Sequence, residues 1–223
     1  AGVRSGTRLL EIGTGWGTLA IRAAQRGARV TTITLSREQM RLARERVESA
    51  GLSGLVEVRV QDYREVDGEY DAIVSVEMIE AVGEAYWPAY FAALDRLLAP
   101  GGRAAIQAIT MDHQRFLATR RSFTWIQKYI FPGGIIPSLQ AVDDTLAAHT
   151  MLRVTRHREL RPHYARTLRL WRERFRDQWP RIHTQGFDET FRRMWEFYLA
   201  YSEAGFRSGY LGVSQLQMTR QPA

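Results

Sequence analysis

The sequence predicts an α/β fold: a doubly wound, mostly parallel seven-stranded sheet with helices on both faces. Three observations carry that expectation. Short runs rich in Val, Ile and Leu alternate with amphipathic runs at the spacing of strand–helix units. A glycine-rich turn, Gly13-Thr-Gly-Trp-Gly17, joins the first apolar run to the first amphipathic one. No internal repeat or low-complexity segment is present.

The elements follow in order. Arg8–Ile12 reads as a buried strand, and a helix runs from about Leu19 to Gln25. Arg29–Thr34 is β-branched and predicts the second strand. Ser36 and Gln39 have capping-box form, and they open a helix to about Ala50 that Gly51 ends. Val56–Val60 and Tyr70–Val76 are strands three and four, Trp87–Leu98 is a helix stopped by Pro100-Gly101-Gly102, and Arg103–Ile109 is strand five. The alternation breaks at Thr110. From there to about Leu139 the chain carries Phe116, Phe123, Trp125, Tyr129 and Phe131 among Pro and Gly, which predicts an insertion or lid after strand five. Val142–Met151 reads as a helix and Leu152–Leu160 as a strand. Two extra C-terminal helices, Tyr164–Gln178 and Asp188–Gly205, precede a last strand, Tyr210–Met218. This gives one domain over residues 1–223, divided into a first half (1–109), the insertion (110–140) and a C-terminal part (141–223).

Composition narrows the function. Hydrophobic content of 45% with 11% aromatics supports a core and argues against disorder. Zero cysteines exclude disulfides, a cysteine nucleophile and thiolate metal sites. His113, His149 and His157 share no ligand spacing, so no metal is expected. No apolar run is long enough to span a membrane as a helix. The chain lacks signal-peptide form and opens almost directly on a strand, as a cut chain would. The net charge of +7 is unevenly placed. Residues 1–150 hold 17 basic and 17 acidic side chains, whereas 151–223 hold 14 and 7. Lys128 is the sole lysine, a bias that codon usage explains as well as function does. Arginine forks also suit phosphate and carboxylate.

The glycine turn follows a strand and precedes a helix, where a backbone approaches a ligand closely and free N–H groups point outward. Its spacing, with Glu11 at the strand end, is E-x-G-x-G-x-G. A dinucleotide site wants G-x-G-x-x-G and an acid ending the second strand. That strand ends Ile33-Thr-Leu-Ser36, which disfavours a nicotinamide cofactor. The turn resembles motif I of class I S-adenosylmethionine methyltransferases, whose sheet is Rossmann-like.

Four longer stretches are more specific. Leu10-Glu-Ile-Gly-Thr-Gly-Trp-Gly17, Thr32-Ile-Thr-Leu-Ser-Arg-Glu-Gln39, Val74-Ser-Val-Glu-Met-Ile-Glu80 and Lys128-Tyr-Ile-Phe-Pro-Gly-Gly134 resemble the cyclopropane fatty acid synthase family in order along the chain. Leu160–Trp171 and Gln215–Arg220 continue the match. Gln107-Ala-Ile-Thr-Met111 and the Gly-Thr-Gly-Trp-Gly turn are most similar to the actinobacterial branch that makes 10-methylene, tuberculostearic-type fatty acids. Family members carry a helical segment before motif I that this sequence lacks, so a C-terminal catalytic fragment is expected.

The resemblance implies a set of residues. Glu11, Gly13 and Gly15 match the methionine side of the S-adenosylmethionine site; Thr34, Leu35, Ser36 and Gln39 match its ribose and adenine region; Asp62 and Tyr63 match the adenine pair. All lie at the C-terminal ends of expected parallel strands, where open α/β sheets bind ligands. Gln39 also reads as a cap residue and Tyr63 as an edge aromatic. Glu80 matches the catalytic glutamate, Tyr164 the active-site tyrosine and Ile109 a backbone contact to a bicarbonate that serves as base in the family. Gln107 stands where the family has a histidine, and Ala81 replaces another. An amide does not carry a proton at neutral pH, so the resemblance leaves bicarbonate in doubt and makes Gln107 part of a rearranged proton-removal site.

The implied chemistry is alkylation of an isolated alkene through a carbocation. It needs a dry channel, aromatic faces and a base. Trp125, Tyr129 and Phe131 read either as channel wall or as core, and Glu77 as a solvated neighbour of Glu80. Implied partners are an unsaturated phospholipid acyl chain, an anionic membrane, a flavoprotein reductase and a homo-oligomer. The expected location is cytoplasmic, peripheral at the inner membrane surface. The charged face includes Arg166, Arg169, Arg172, Arg174 and Arg176. Three alternatives stand: a cyclopropane product, a small-molecule N- or O-methyltransferase, and a lipid binder without activity. Nucleic-acid methylation is disfavoured, because Ser75–Glu80 occupies the place of an Asn/Asp-Pro-Pro-Tyr/Phe run.

Overall fold

A computed structural model describes residues 1–220. Its seven strands are β1 (Arg8–Ile12), β2 (Arg29–Thr34), β3 (Val56–Val60), β4 (Tyr70–Val76), β5 (Leu98–Met111), β6 (Leu152–Glu159) and β7 (Leu211–Arg220). They form one sheet in the order β3-β2-β1-β4-β5-β7-β6. The strands from β3 through β5 pair in parallel, and β7 runs antiparallel to both β5 and β6. The expected doubly wound, mostly parallel sheet is therefore present.

The helices are α1 (Thr18–Ala24), α2 (Arg37–Ser49), α3 (Ile79–Val82), α4 (Trp87–Leu97), α5 (His113–Thr119), α6 (Trp125–Tyr129), α7 (Leu139–His149), α8 (Arg161–Asp177), α9 (Trp179–His183) and α10 (Glu189–Arg207). Two apolar layers sandwich the sheet. Leu9, Val30, Val58, Ala72 and Val74 meet Ala20, Ala23 and Ala43 of α1 and α2 on one face. Leu10, Ile12, Ile73, Ile106 and Met218 meet Trp87, Phe91, Leu94 and Leu146 of α4 and α7 on the other. A third cluster, Leu168, Leu199, Phe206 and Val213, seats α8 and α10 on β7.

Several elements differ from expectation, most clearly in three places. Leu98 ends α4 in extended geometry and pairs with Tyr70, so β5 starts there and crosses the Pro-Gly-Gly turn through a register shift. The aromatic insertion contains α5 and α6, both too short for periodicity to reveal. Finally, α8 begins at Arg161, with Pro162 in the first turn, where its missing N–H costs nothing.

Candidate active site

The glycine turn leaves the C-terminal end of β1 with Gly13, Gly15 and Gly17 at φ +99°, +51° and +81°. At Gly17 a Cβ would stand 3.1 Å from the Cβ of Ala43, so glycine here lets α2 close on α1. At Gly13 and Gly15 a Cβ would meet no atom within 4 Å. Those two positions face open space, and side chains there would fill it.

Behind the turn, Glu11 is buried at 4% exposure. Thr32 lies opposite it on β2 and donates to Glu11 Oε2 at 2.6 Å. The hydroxyl of Thr14 is 2.7 Å from that of Thr32. The Thr32 hydroxyl is thus directed at both Glu11 Oε2 and Thr14 Oγ1. Burial pushes the Glu11 carboxyl up to about 7, against the Thr32 bond that lowers it. A cationic ligand at the turn would restore its charge. Neither threonine carries a signal that distinguishes it from any β-branched strand or turn residue.

The rim of β2 is equally local. Ser36 caps α2 by accepting from Gln39 N–H at 3.1 Å. The reciprocal half of the capping box is replaced. Ser36 N–H donates to Thr34 Oγ1 at 3.1 Å, and Thr34 donates to Gln39 Oε1 at 2.7 Å. Gln39 is thus a cap residue whose side chain turns to the strand end. Leu35 stands at the same rim with 73% exposure. After β3, Asp62 accepts from Arg64 N–H at 2.9 Å, and the Arg64 guanidinium holds its carboxyl below the ordinary range. The Tyr63 ring meets Tyr90 edge-on at 5.7 Å. Thr34, Leu35, Ser36 and Gln39 thus lie at the end of β2 and Asp62 and Tyr63 just after β3, the last two held by protein partners.

A second cluster gathers at the ends of β4 and β5. Glu80, opening α3, accepts from Ile109 N–H at 2.6 Å. Its other oxygen is buried without a partner. Burial pushes the Glu80 carboxyl up to about 7; the Ile109 N–H opposes that and Glu77 adds to it. Gln107 Nε2 donates to Glu77 Oε1 at 2.9 Å and to Tyr164 Oη at 2.7 Å. Tyr164 in turn donates to Glu77 Oε1. Gln215 on β7, the register partner of Gln107, donates to its Oε1 at 2.9 Å. The structure therefore brings together Glu80, Ile109, Gln107 and Tyr164, and adds Glu77, read from the sequence as a solvated neighbour, and Gln215, which carried no site reading.

The insertion closes over this cluster. Ile135 N–H donates to the Glu80 carbonyl at 2.9 Å, and Gln127 Nε2 donates to the Gly134 carbonyl at 2.8 Å. Trp125 meets Phe197 of α10 at 4.7 Å and Phe131 meets Tyr198 at 5.9 Å. Burial and the nearby Glu77 push the Tyr198 phenol up. Trp125, Tyr129 and Phe131 lie outside the buried core, with Tyr129 and Phe131 exposed, so the channel-wall reading is the one left open. Gln107 and Gln215 also line a groove of about 1020 Å³ over β4 to β6, walled on one side by Leu19 and Ala23 of α1.

Three arginines of the expected charged face have acidic neighbours. Arg172 Nη2 sits 2.8 Å from Glu203, Arg176 is 2.9 Å from Glu196, and Arg169 is 3.9 Å from Glu173. Two of these pairs fasten α8 to α10, because the acids missing from α8 stand on its neighbour. His113 and His157 bond to Ser138 and Ser214. Among the described residues no group of three His, Asp or Glu gathers as a metal site, and no helix is long and apolar enough to cross a membrane.

The profile of the family described as mycolic acid cyclopropane synthetase matches residues 1–216. The tuberculostearic acid methyltransferase UfaA1 of Mycobacterium tuberculosis is 62% identical over 221 residues, 99% of this chain and 52% of that protein. The chain spans about half the length of the curated relatives it matches. The cyclopropane synthase MmaA2 of Mycobacterium tuberculosis aligns with TM-score 0.87 at 29% identity, over 97% of this chain and 79% of that one. The mycolic acid cyclopropane synthase CmaA1 in complex with SAH and CTAB aligns with TM-score 0.86 at 29% identity, with the same coverage.

Proposed function

The chain belongs to the mycolic acid cyclopropane synthetase family, and from that premise we propose that it is the catalytic part of an S-adenosylmethionine-dependent fatty acid C-methyltransferase. Its substrate is the double bond of an unsaturated phospholipid acyl chain, and its product carries a 10-methylene group. The observation that carries this reading is the convergence of Glu80, Ile109, Gln107 and Tyr164 at the ends of β4 and β5, with β4 paired to the strand that leads into the glycine turn. Similarity to a tuberculostearic acid methyltransferase supports the methylene outcome.

The residues present fit the cofactor. Gly13 and Gly15 leave the space it needs, Glu11 supplies a buried carboxylate for a cationic group, and Thr34, Leu35, Ser36, Gln39, Asp62 and Tyr63 form the rim. Bound there, S-adenosylmethionine supplies an electrophilic methyl group to the alkene. The chain then has to shelter a carbocation. Tyr198 and Phe131 offer aromatic faces, and the Glu77–Glu80 carboxylates offer a negative field in a site of low polarity. Loss of a methyl proton after a hydride shift gives the methylene, whereas direct closure gives the cyclopropane.

The insertion serves as lid and the C-terminal part as acyl site. The protein works at the inner, anionic membrane surface, on the cytoplasmic side. Arg166 and Arg174, exposed on α8 and outside every ion pair seen among the described residues, are the contacts to lipid headgroups. A flavoprotein reductase would consume the methylene product, and self-association is part of the same reading.

One experiment tests the whole. The protein is incubated with S-adenosylmethionine and dioleoyl phosphatidylglycerol vesicles, and the released fatty acids are analysed by mass and NMR. We expect a gain of one CH2 with exocyclic methylene protons. A cyclopropane signal would select the alternative product. Turnover of small amines with none on lipid would overturn the reading.

A further inference from the structure

Bicarbonate does not fit the second cluster as it is built. The Ile109 N–H is taken by Glu80 at 2.6 Å. Both the Gln107 amide and the Tyr164 hydroxyl are directed at Glu77 Oε1. A free anion would therefore find its donors engaged and two carboxylates beside it. The donors have converged, but on a carboxylate that belongs to the chain.

The backbone shows that Glu77 is held there. Among the described residues it is the one non-glycine residue at positive φ, +53°. Such a conformation costs a side chain roughly 1–2 kcal/mol. The Glu77 N–H donates to the Gln107 carbonyl at 2.7 Å, which fixes the residue across from the strand its side chain serves. Glycine would fit this position without strain, so the glutamate is retained against its own backbone preference.

Resting on the function proposed above, we propose that Glu77 is the tethered anion of the proton-removal site and receives the product proton through Tyr164. A C–H bond of the newly added methyl breaks, and its electron pair forms the exocyclic C=C bond. The proton passes to the Tyr164 oxygen as the phenol's own proton moves to Glu77 Oε1. The cation becomes neutral product and the carboxylate becomes an acid, which later returns its proton to water. Gln107 holds the phenol oxygen and the carboxylate together, a task an amide performs without carrying charge. Glu77 is thus a positioning residue and proton sink acting through Tyr164.

The test is Glu77→Gly, which suits the φ and should melt no lower than the parent. Methylene formation should fall about tenfold or more, with S-adenosylmethionine affinity unchanged and rate partly restored by formate or bicarbonate. The parent should turn over equally well after carbon dioxide is removed. A readout apart from turnover is binding of 13C-bicarbonate by NMR, which Glu77→Gly should show and the parent should not. Saturable millimolar binding by the parent, or a Glu77→Gly variant with parental rate and product ratio, would overturn the proposal. If the parent makes no product from oleoyl lipid yet excludes bicarbonate, the proposed function falls and the tethered anion stands.

Discussion

The rim of β1 and β2 and the rim of β4 and β5 do similar work by different means. At the first, the partners are near in sequence: Thr32 reaches Glu11 across 21 residues, Thr34 reaches Gln39 across 5, and Gln39 reaches Ser36 across 3. At the second, Ile109 reaches Glu80 across 29 residues, Tyr164 reaches Gln107 across 57 and Glu77 across 87, and Gln215 reaches Gln107 across 108. The first rim is a local product of strand–turn–helix units. The second is complete only once α8 and β7 have docked. On the proposed function, binding of the methyl donor and competence for chemistry should therefore be separable.

The largest test of that separation is Glu80→Gln. The amide oxygen still accepts from Ile109, so the fold should hold. We expect kcat to fall about a hundredfold or more, while calorimetric affinity for S-adenosylmethionine stays within about twofold. An equal loss in both would show that the two rims act as one site.

Next is the clamp that brings α8, and with it Tyr164, to the second rim. Glu203 is only 5% exposed at its side chain, and Arg172 stands 2.8 Å from it, in ion-pair range without hydrogen-bond alignment. Arg172→Ala leaves Arg207 as its remaining cation. Urea unfolding should report a loss of about 3 kcal/mol, most of it the cost of the uncompensated charge. A loss below about 0.5 kcal/mol would place this pair with ordinary surface bridges.

The smallest effect sharpens the first rim. The Glu11 carboxyl is raised to about 7 in the fold, above its ordinary value of 4.5. A raised carboxyl binds its proton more tightly folded than unfolded. Its contribution is full below about pH 4.5 and is lost as pH rises through about 7. Glu11→Gln should therefore raise the ligand-free melting temperature at pH 8 relative to the parent. At pH 4.5 the difference should nearly vanish. An equal difference at both pH values would mean that Glu11 is not the titrating group.

The same contrast of distance explains what could be read from the chain. Strands such as Arg29–Thr34 and Tyr70–Val76 are largely buried on both faces, and they stand out as short runs rich in β-branched and apolar residues. The glycine turn and Ser36 with Gln39 carry local signatures. Glu77 carries none, because a glutamate three residues before another reads as a solvated helix start, and nothing in its name announces a positive φ. Arg172 and Arg176 read as a free cationic face because Glu203 and Glu196 lie on another helix. The residues that resemblance placed at the second rim were found through motifs; the bonds joining them were not.

Gly17 and Ala43 gauge how much variation the packing of α1 against α2 permits. A single methyl at position 17 would come within 3.1 Å of the Ala43 Cβ. Neither residue can grow unless α2 lifts away from α1, and α2 carries Gln39 at its start. Enlarging either one would shift the start of α2 from behind, and with it Gln39, whose side chain accepts from Thr34.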